Sequence, residues 1–288
     1  MLSRIDRIQL AVAEAAPVAR RWAELLGAQE AGRDRLACLG AARTSLRLGS
    51  GWIELLEPDG AGAIADALSR RGAHLFAAGA AAADLAALKA HLGALGVRPA
   101  AEAGQLHLDE ADTGVAGFRA VLSADAELPA VGDIDFLYEA TVLAHESAPQ
   151  CARIARLFGL AEAHFSTIVS EAFGYDGTLT LFHPDRLHRF EVIRPTRAGT
   201  TMARFLERAG DSLYMAFAET GRMLAIEQRA RAAGLGITVD RPQGRAEGVQ
   251  ADQLWLHPQA LGGMMLGLSR PSMAWRWSGR PDRVVAID

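Results

Sequence analysis

Apolar and polar residues alternate at the start of the chain: in IDRIQLAV, 5–12, residues Ile8, Leu10 and Val12 share one face of an extended segment. The period then changes. PVARRWAELL, 17–26, carries its apolar residues at helical spacing, with Pro17 where a first turn tolerates proline and Gly27 where a helix stops. Short strands follow near 29–33, 44–48 and 52–56. The same order returns three more times. The second copy reads AHLFAA at 73–78, a helix over 83–95 closed by Gly96, and strands around 105–108 and 115–122. The third opens with FLYEATVLA, 136–144, then a helix over 148–158 ended by Gly159 and strands at 165–170, 178–182 and 189–193. The fourth opens with SLYMAFA, 212–218, then a helix over 222–233 ended by Gly234 and strands near 237–239, 253–256 and 264–268.

A repeat of this kind decides the fold before any motif does. Copies one and three also leave alike: WIELLEP, 52–58, and RFEVIRP, 189–195, each run into a glycine-containing loop and a helix, over 64–70 and 201–208. The pattern predicts an α+β fold of four βαβββ modules in two pairs, 1–125 and 133–270, joined by a polar linker over 124–132. The tail, 271–288, lies outside the repeat, and its Trp275 and Trp277 are expected to pack on the body or on a neighbouring subunit.

Composition narrows the classes. Half of the residues are hydrophobic and 22% are charged, the balance of a globular chain with substantial cores. A net charge of -4 without a long basic run excludes a nucleic-acid footprint. The 29 arginines against the single Lys89 read as the bias of a GC-rich genome, not as a partner signal. Cys38 and Cys151 sit in unrelated contexts and form neither a disulfide framework nor a CxxC pair, which favours a reducing compartment. Asp6, Arg7 and Gln9 interrupt the N-terminal apolar run, and the alanines over 77–83 are too few to span a bilayer. A soluble cytoplasmic protein without a membrane partner is the expectation. Its oligomeric state stays open, the homodimer being the commonest symmetric assembly. Dinucleotide, P-loop and GxSxG fingerprints are absent.

Three segments carry a family likeness: IDRIQLAV at 5–12, TTMARFLERAGDSLYMAF at 200–217 and LHPQALGGMMLGL at 256–268. With the tandem modules, they make the chain resemble the vicinal-oxygen-chelate superfamily of glyoxalases, epimerases, antibiotic-sequestering proteins and extradiol dioxygenases, over nearly all of its length to about residue 270. The resemblance implies that each module pair curls into a cup with a divalent metal at its base, held by His, Glu or Gln from the first and last strands of each module. Many chemistries share this scaffold, so it speaks to fold more than to activity.

At the positions the resemblance points to, the first pair offers Arg7 in place of the usual His, then Glu54 and His74 as the metal candidates, and nothing ligating in VAGFRAVL at 115–122. A guanidinium binds no metal, and Arg7 is expected to pair with Glu54 instead. The second pair offers Glu139, where the four-module dioxygenases have His, and Glu191, with Tyr214 where a second His is expected and Gly267 where the pattern has Glu. Those three substitutions disfavour an iron dioxygenase of four-module layout.

What remains is Glu139, Glu191 and Tyr214 around one concave space. Two carboxylates in a semi-apolar cup raise one pKa and make a general acid or base, and a phenol can donate to an enolate or carbonyl oxygen. The structural alternative is that Glu191 pairs with Arg189 or Arg194 while Tyr214 fills the cup. His183 and His188, flanking the turn at Asp185, read as a solvated hairpin rim.

Three functions stay open. One is a lyase or isomerase using Glu139, Glu191 and Tyr214 on a small oxygenated metabolite. The second is a metal-free protein that binds a small molecule, as in sequestration or resistance. The third is a metal-dependent glyoxalase- or dioxygenase-like enzyme with unusual ligands, such as Glu54 and His74, in which a divalent metal is the cofactor.

Overall fold

The structure is a computed structural model and describes residues 1–287. Its N-terminal half comprises β1 (Leu2–Ala11), α1 (Ala15–Leu26), β2 (Gln29–Leu36), β3 (Ala41–Leu48), β4 (Gly51–Pro58), α2 (Ala63–Arg71), β5 (His74–Ala82), α3 (Leu85–Ala94), β6 (Ala100–Glu102), β7 (Gln105–Leu108), α4 (Glu110–Thr113) and β8 (Ala120–Ala124). The C-terminal half repeats the series as β9 (Phe136–Leu143), α5 (Ser147–Phe158), β10 (Ser166–Ser170), β11 (Tyr175–Leu181), β12 (Arg189–Pro195), α6 (Thr201–Ala209), β13 (Ser212–Glu219), α7 (Met223–Ala232), β14 (Ile237–Asp240), β15 (Gln253–Leu256) and β16 (Met265–Ser269).

Each half forms a curled eight-stranded sheet, with orders β2-β3-β4-β1-β5-β8-β7-β6 and β10-β11-β12-β9-β13-β16-β15-β14. In both, the first strands of the two modules pair antiparallel at the centre, and each pairs parallel with the last strand of its own module. The α+β fold of paired modules is therefore present as the repeat predicts.

The two sheets superpose in register, not only in order. Arg7 pairs across to Trp52 and Gly79, as Glu139 pairs to Arg189 and Phe217. Gln9 faces Glu54, as Thr141 faces Glu191. Even the irregularities repeat: an unpaired residue interrupts β1 at Asp6 and β9 at Tyr138, and another interrupts β5 at Phe76 and β13 at Tyr214. Such bulges bend a strand and turn consecutive side chains toward one side.

One core runs through both halves. Trp22, Leu26, Phe118, Phe158, Phe190 and Leu266 belong to a single buried cluster, in which the Phe118 and Phe190 rings lie 5.1 Å apart. Alternation along β12 explains the division of labour: Phe190 and Val192 join this core, whereas Arg189, Glu191 and Ile193 face the opposite, inner side of the sheet.

The strand expected over 115–122 lies later and is shorter, at Ala120–Ala124. The sequence before it spends its hydrogen bonds locally. Asp109 and Asp112 form a reciprocal cap on α4, and the Thr113 hydroxyl donates to the Phe118 carbonyl at 2.8 Å. The tail returns to the body, where Ala274, Trp275 and Trp277 join Tyr138, Phe217 and Trp255 on the inner side of the C-terminal sheet. Among the described residues, no helix is long and apolar enough to cross a membrane.

Candidate functional site

The inner faces of the two sheets hold different chemistry on the same frame. In the N-terminal half, Glu54 is buried and accepts from Arg7 (2.8 Å), Gln9 (2.7 Å), Gln105 (2.7 Å) and Arg43 (3.2 Å). Burial alone would push this carboxyl up; the charges of Arg7 and Arg43 and the two amide bonds outweigh it and hold Glu54 below the usual carboxylate range. The expected Arg7–Glu54 pair is present. His74 does not join it: it pairs across to Ala11 at the end of β5, and its ring bonds the Gly72 carbonyl at 2.7 Å. The residue opposite Arg7 on β5 is Gly79, and β8 offers Val121 opposite that.

In the C-terminal half the charges change places. The acid is on β9 and the base on β12: Arg189 Nε donates to Glu139 Oε2 at 2.7 Å. Thr141 Oγ1 lies 3.1 Å from Glu139 Oε1 and 2.7 Å from Glu191 Oε2, and one hydroxyl proton serves only one of them. Both carboxyls are buried, Glu139 at 2% and Glu191 at 4% exposure. Burial, and then the charge of Glu139, raise Glu191 well above the usual carboxylate range, against the opposing pull of Thr141 and Arg189. Within the pair, Glu191 is therefore the carboxyl that holds its proton more tightly, while Glu139 is bound to Arg189. Glu191 does not pair with Arg189 or Arg194 as the structural alternative had it; Arg194 turns outward to Asp176 at 2.8 Å.

Tyr214 is not in this hydrogen-bonded set. It sits at the β13 bulge and packs edge-on against Phe205, ring centres 5.0 Å apart, its phenol raised by burial. Tyr175 on β11 is also raised, by burial and then by the charges of Glu191 and Glu139. Sequence reading missed it because β11 starts earlier than the run of apolar residues suggests. Arg189 was visible in RFEVIRP, but its partner was legible only from the register.

Register also moves two equivalences. The residue opposite Glu139 on β13 is Phe217, not Tyr214, and Gly267 lies opposite Phe217 on β16. A Cβ on Gly267 would collide with the Phe217 ring, as one on Gly79 would collide with the Arg7 side chain. In each half, then, a large side chain lies across a bare glycine. Phe217 is stacked near Tyr138 (6.0 Å) and meets Trp255 (6.2 Å), which Phe173 approaches from the β10–β11 turn at 5.5 Å. The tail closes this aromatic wall, with Ser278 Oγ accepting from Arg189 Nη1 at 3.0 Å.

Four modules, paired into two curled sheets with their polar residues gathered at the inner base of each, define a protein of the vicinal-oxygen-chelate fold. Among solved structures, the chain is similar to a mutant 4-hydroxymandelate synthase from Streptomyces coelicolor, with TM-score 0.73 and 14% identity over 94% of this chain and 93% of that one. It is similar also to a xylose isomerase-like TIM barrel/4-hydroxyphenylpyruvate dioxygenase fusion protein, with TM-score 0.64 and 14% identity over 94% of this chain, which spans 49% of that protein. A methylmalonyl-CoA epimerase from Mycobacterium tuberculosis aligns with 48% of this chain at TM-score 0.39. No protein-family model matches the chain, and no curated protein does.

The metal that the resemblance implies does not fit the residues present. Its four positions in the C-terminal half hold Glu139, already bound to Arg189, then Glu191, bonded to Thr141, and Phe217 and Gly267, with the Phe217 ring over the glycine. In the N-terminal half they hold Arg7, Gly79 and Val121, and Glu54 is saturated by four donors. Among the described residues, no group of three or more His, Cys, Asp or Glu is placed to hold a metal ion.

Proposed function

We propose that the C-terminal cup is the working site and that it moves a proton on a small oxygenated metabolite, a lyase- or isomerase-type step without a metal. The observation that carries this reading is the buried Glu139–Glu191 pair joined through Thr141, with Glu191 raised and Glu139 held by Arg189. A carboxyl whose pKa is raised by burial and a neighbouring carboxylate is suited to donating and accepting a carbon-bound proton. Arg189, bound to Glu139, would steady the oxygen on which charge develops. The N-terminal cup, saturated around Glu54, supports the fold and takes no part in the reaction.

The test is hydrogen exchange in D2O, with the purified protein and a panel of small 2-oxo and 1,3-dicarbonyl compounds, followed by proton NMR. Exchange at one carbon of one compound is expected, reduced about 100-fold or more in Glu191→Gln. Exchange that is unaffected by Glu191→Gln and Glu139→Gln would sink the reading.

A second reading, ligand binding without turnover, has its own support. Aromatic residues and the tail line the inner side of this sheet, groups suited to contacting a flat molecule. It is the reading that stands if ligands bind and none exchanges.

A further inference from the structure

Arg189 is fully buried, yet one end of its guanidinium has no partner. Nε donates to Glu139, and Nη1 donates to the Leu187 carbonyl and to Ser278 Oγ, each at 3.0 Å. Nη2 is buried and has no acceptor among the described residues. The flat face of the group lies over the Tyr138 ring, Cζ 4.8 Å from its centre. Stacking does not satisfy Nη2, because guanidinium N–H bonds lie in the plane of the group. An unpaired buried donor on a charged group is costly, and its presence on the inner side of the C-terminal sheet points to an acceptor that arrives from outside.

Nη1 and Nη2 are the two ends of one fork, and Ser278, on the tail, is the side-chain acceptor on Nη1. We propose that Arg189 is the anion anchor of the C-terminal cup: it takes the carboxylate of a small organic acid, one oxygen on Nη2 and the other on Nη1 in place of Ser278. This rests on the reading of that cup as the working site. It puts a fixed guanidinium at the base, where the resemblance leads one to expect a metal. The neighbours permit the extra charge. Burial and the Glu139 charge favour the protonated form of Glu191, which limits the charge it adds, and Glu139 is bound through Nε. Tyr138, Phe217 and Trp255 surround the guanidinium with an apolar, aromatic environment in which an unpaired charge-bearing donor is strongly drawn to an anion.

The experiment is calorimetric titration with benzoate and with benzamide, which share a shape and differ in charge. Wild-type protein is expected to bind benzoate at least 10-fold more tightly than benzamide. Because Arg189→Met alone strands Glu139, the informative variant is Arg189→Met with Glu139→Gln, checked for its fold by circular dichroism. That variant is expected to lose the preference, and Ser278→Ala to tighten benzoate binding several-fold. Equal binding of the two probes, no binding of either, or a preference that survives in the double variant would overturn the proposal. Glu191→Gln separates it from the proton-transfer reading: lost exchange with the benzoate preference intact supports both, and a preference found in a protein with no exchange activity keeps the anchor and removes the chemistry.

Discussion

Glu191 binds a proton in the folded protein that it releases when unfolded, because burial and the Glu139 charge raise its pKa. Its contribution to stability is therefore complete below the ordinary carboxylate pKa of about 4.3 and is lost as pH rises through the higher folded value. Thermal melts between about pH 4 and 8 should show wild type losing stability with rising pH more steeply than Glu191→Gln. His188 has the opposite sign. Burial, then Arg4 and neighbouring arginines, lower it to about 3, so its contribution is lost as pH falls from the ordinary imidazole range. His188 is common to both proteins, and the difference between the two curves isolates Glu191. Glu54 makes a second residue-scale test. Glu54→Ala leaves Arg7 and Arg43 buried without their shared carboxylate, and denaturant unfolding should show a loss of about 3–5 kcal/mol.

Between strands, the informative contact is the Phe217 ring over Gly267. A methyl group there has to displace a ring that is itself held between Tyr138 and Trp255. Gly267→Ala should cost about 1–3 kcal/mol by overpacking. In a Phe217→Ala background the same change should be nearly neutral, and a double-mutant cycle on urea midpoints reads the difference. Equal costs in both backgrounds would mean that the ring is not the obstacle. The same contact shows what was legible in the sequence. The modules were, because each helix ends in a glycine and each strand set alternates. The places of Glu139 and Glu191 on facing strands were legible too, because the count back from the helix and the repeated RFEVIRP exit fix them. Tyr214 was matched to the position that Phe217 occupies because the unpaired residues at Tyr138 and Tyr214 shift the register, and a bulge in an aromatic run leaves no mark in a hydropathy pattern. His74 was misaligned in the same way: the Phe76 bulge and a featureless alanine run hide that Gly79 faces Arg7. Tyr175 was beyond reach because its neighbours are brought together only by the sheet.

At the scale of the whole molecule, the tail ties the C-terminal half shut. Ser278 reaches Arg189, the Ser166 hydroxyl donates to the Trp277 carbonyl at 3.3 Å, and Arg283 lies over the Trp275 ring and pairs with Asp185. Ending the chain at residue 270 uncovers the aromatic wall and strips Arg189 of a partner. The truncated protein should melt several degrees lower and bind a hydrophobic dye such as ANS more strongly, consistent with a few kcal/mol of lost burial. Unchanged dye binding would show that the inner face is closed by other means.

The continuous core has a consequence for cutting the chain. Phe118 from one half lies among Phe158 and Phe190 from the other, and Arg229 Nε donates to the Leu25 carbonyl at 3.0 Å. Neither half can hide these surfaces alone, so each expressed by itself should be insoluble. Severed in the polar stretch near residue 128 and produced together, the two pieces should find each other and copurify through a tag on one, behaving as two subunits of a heterodimer.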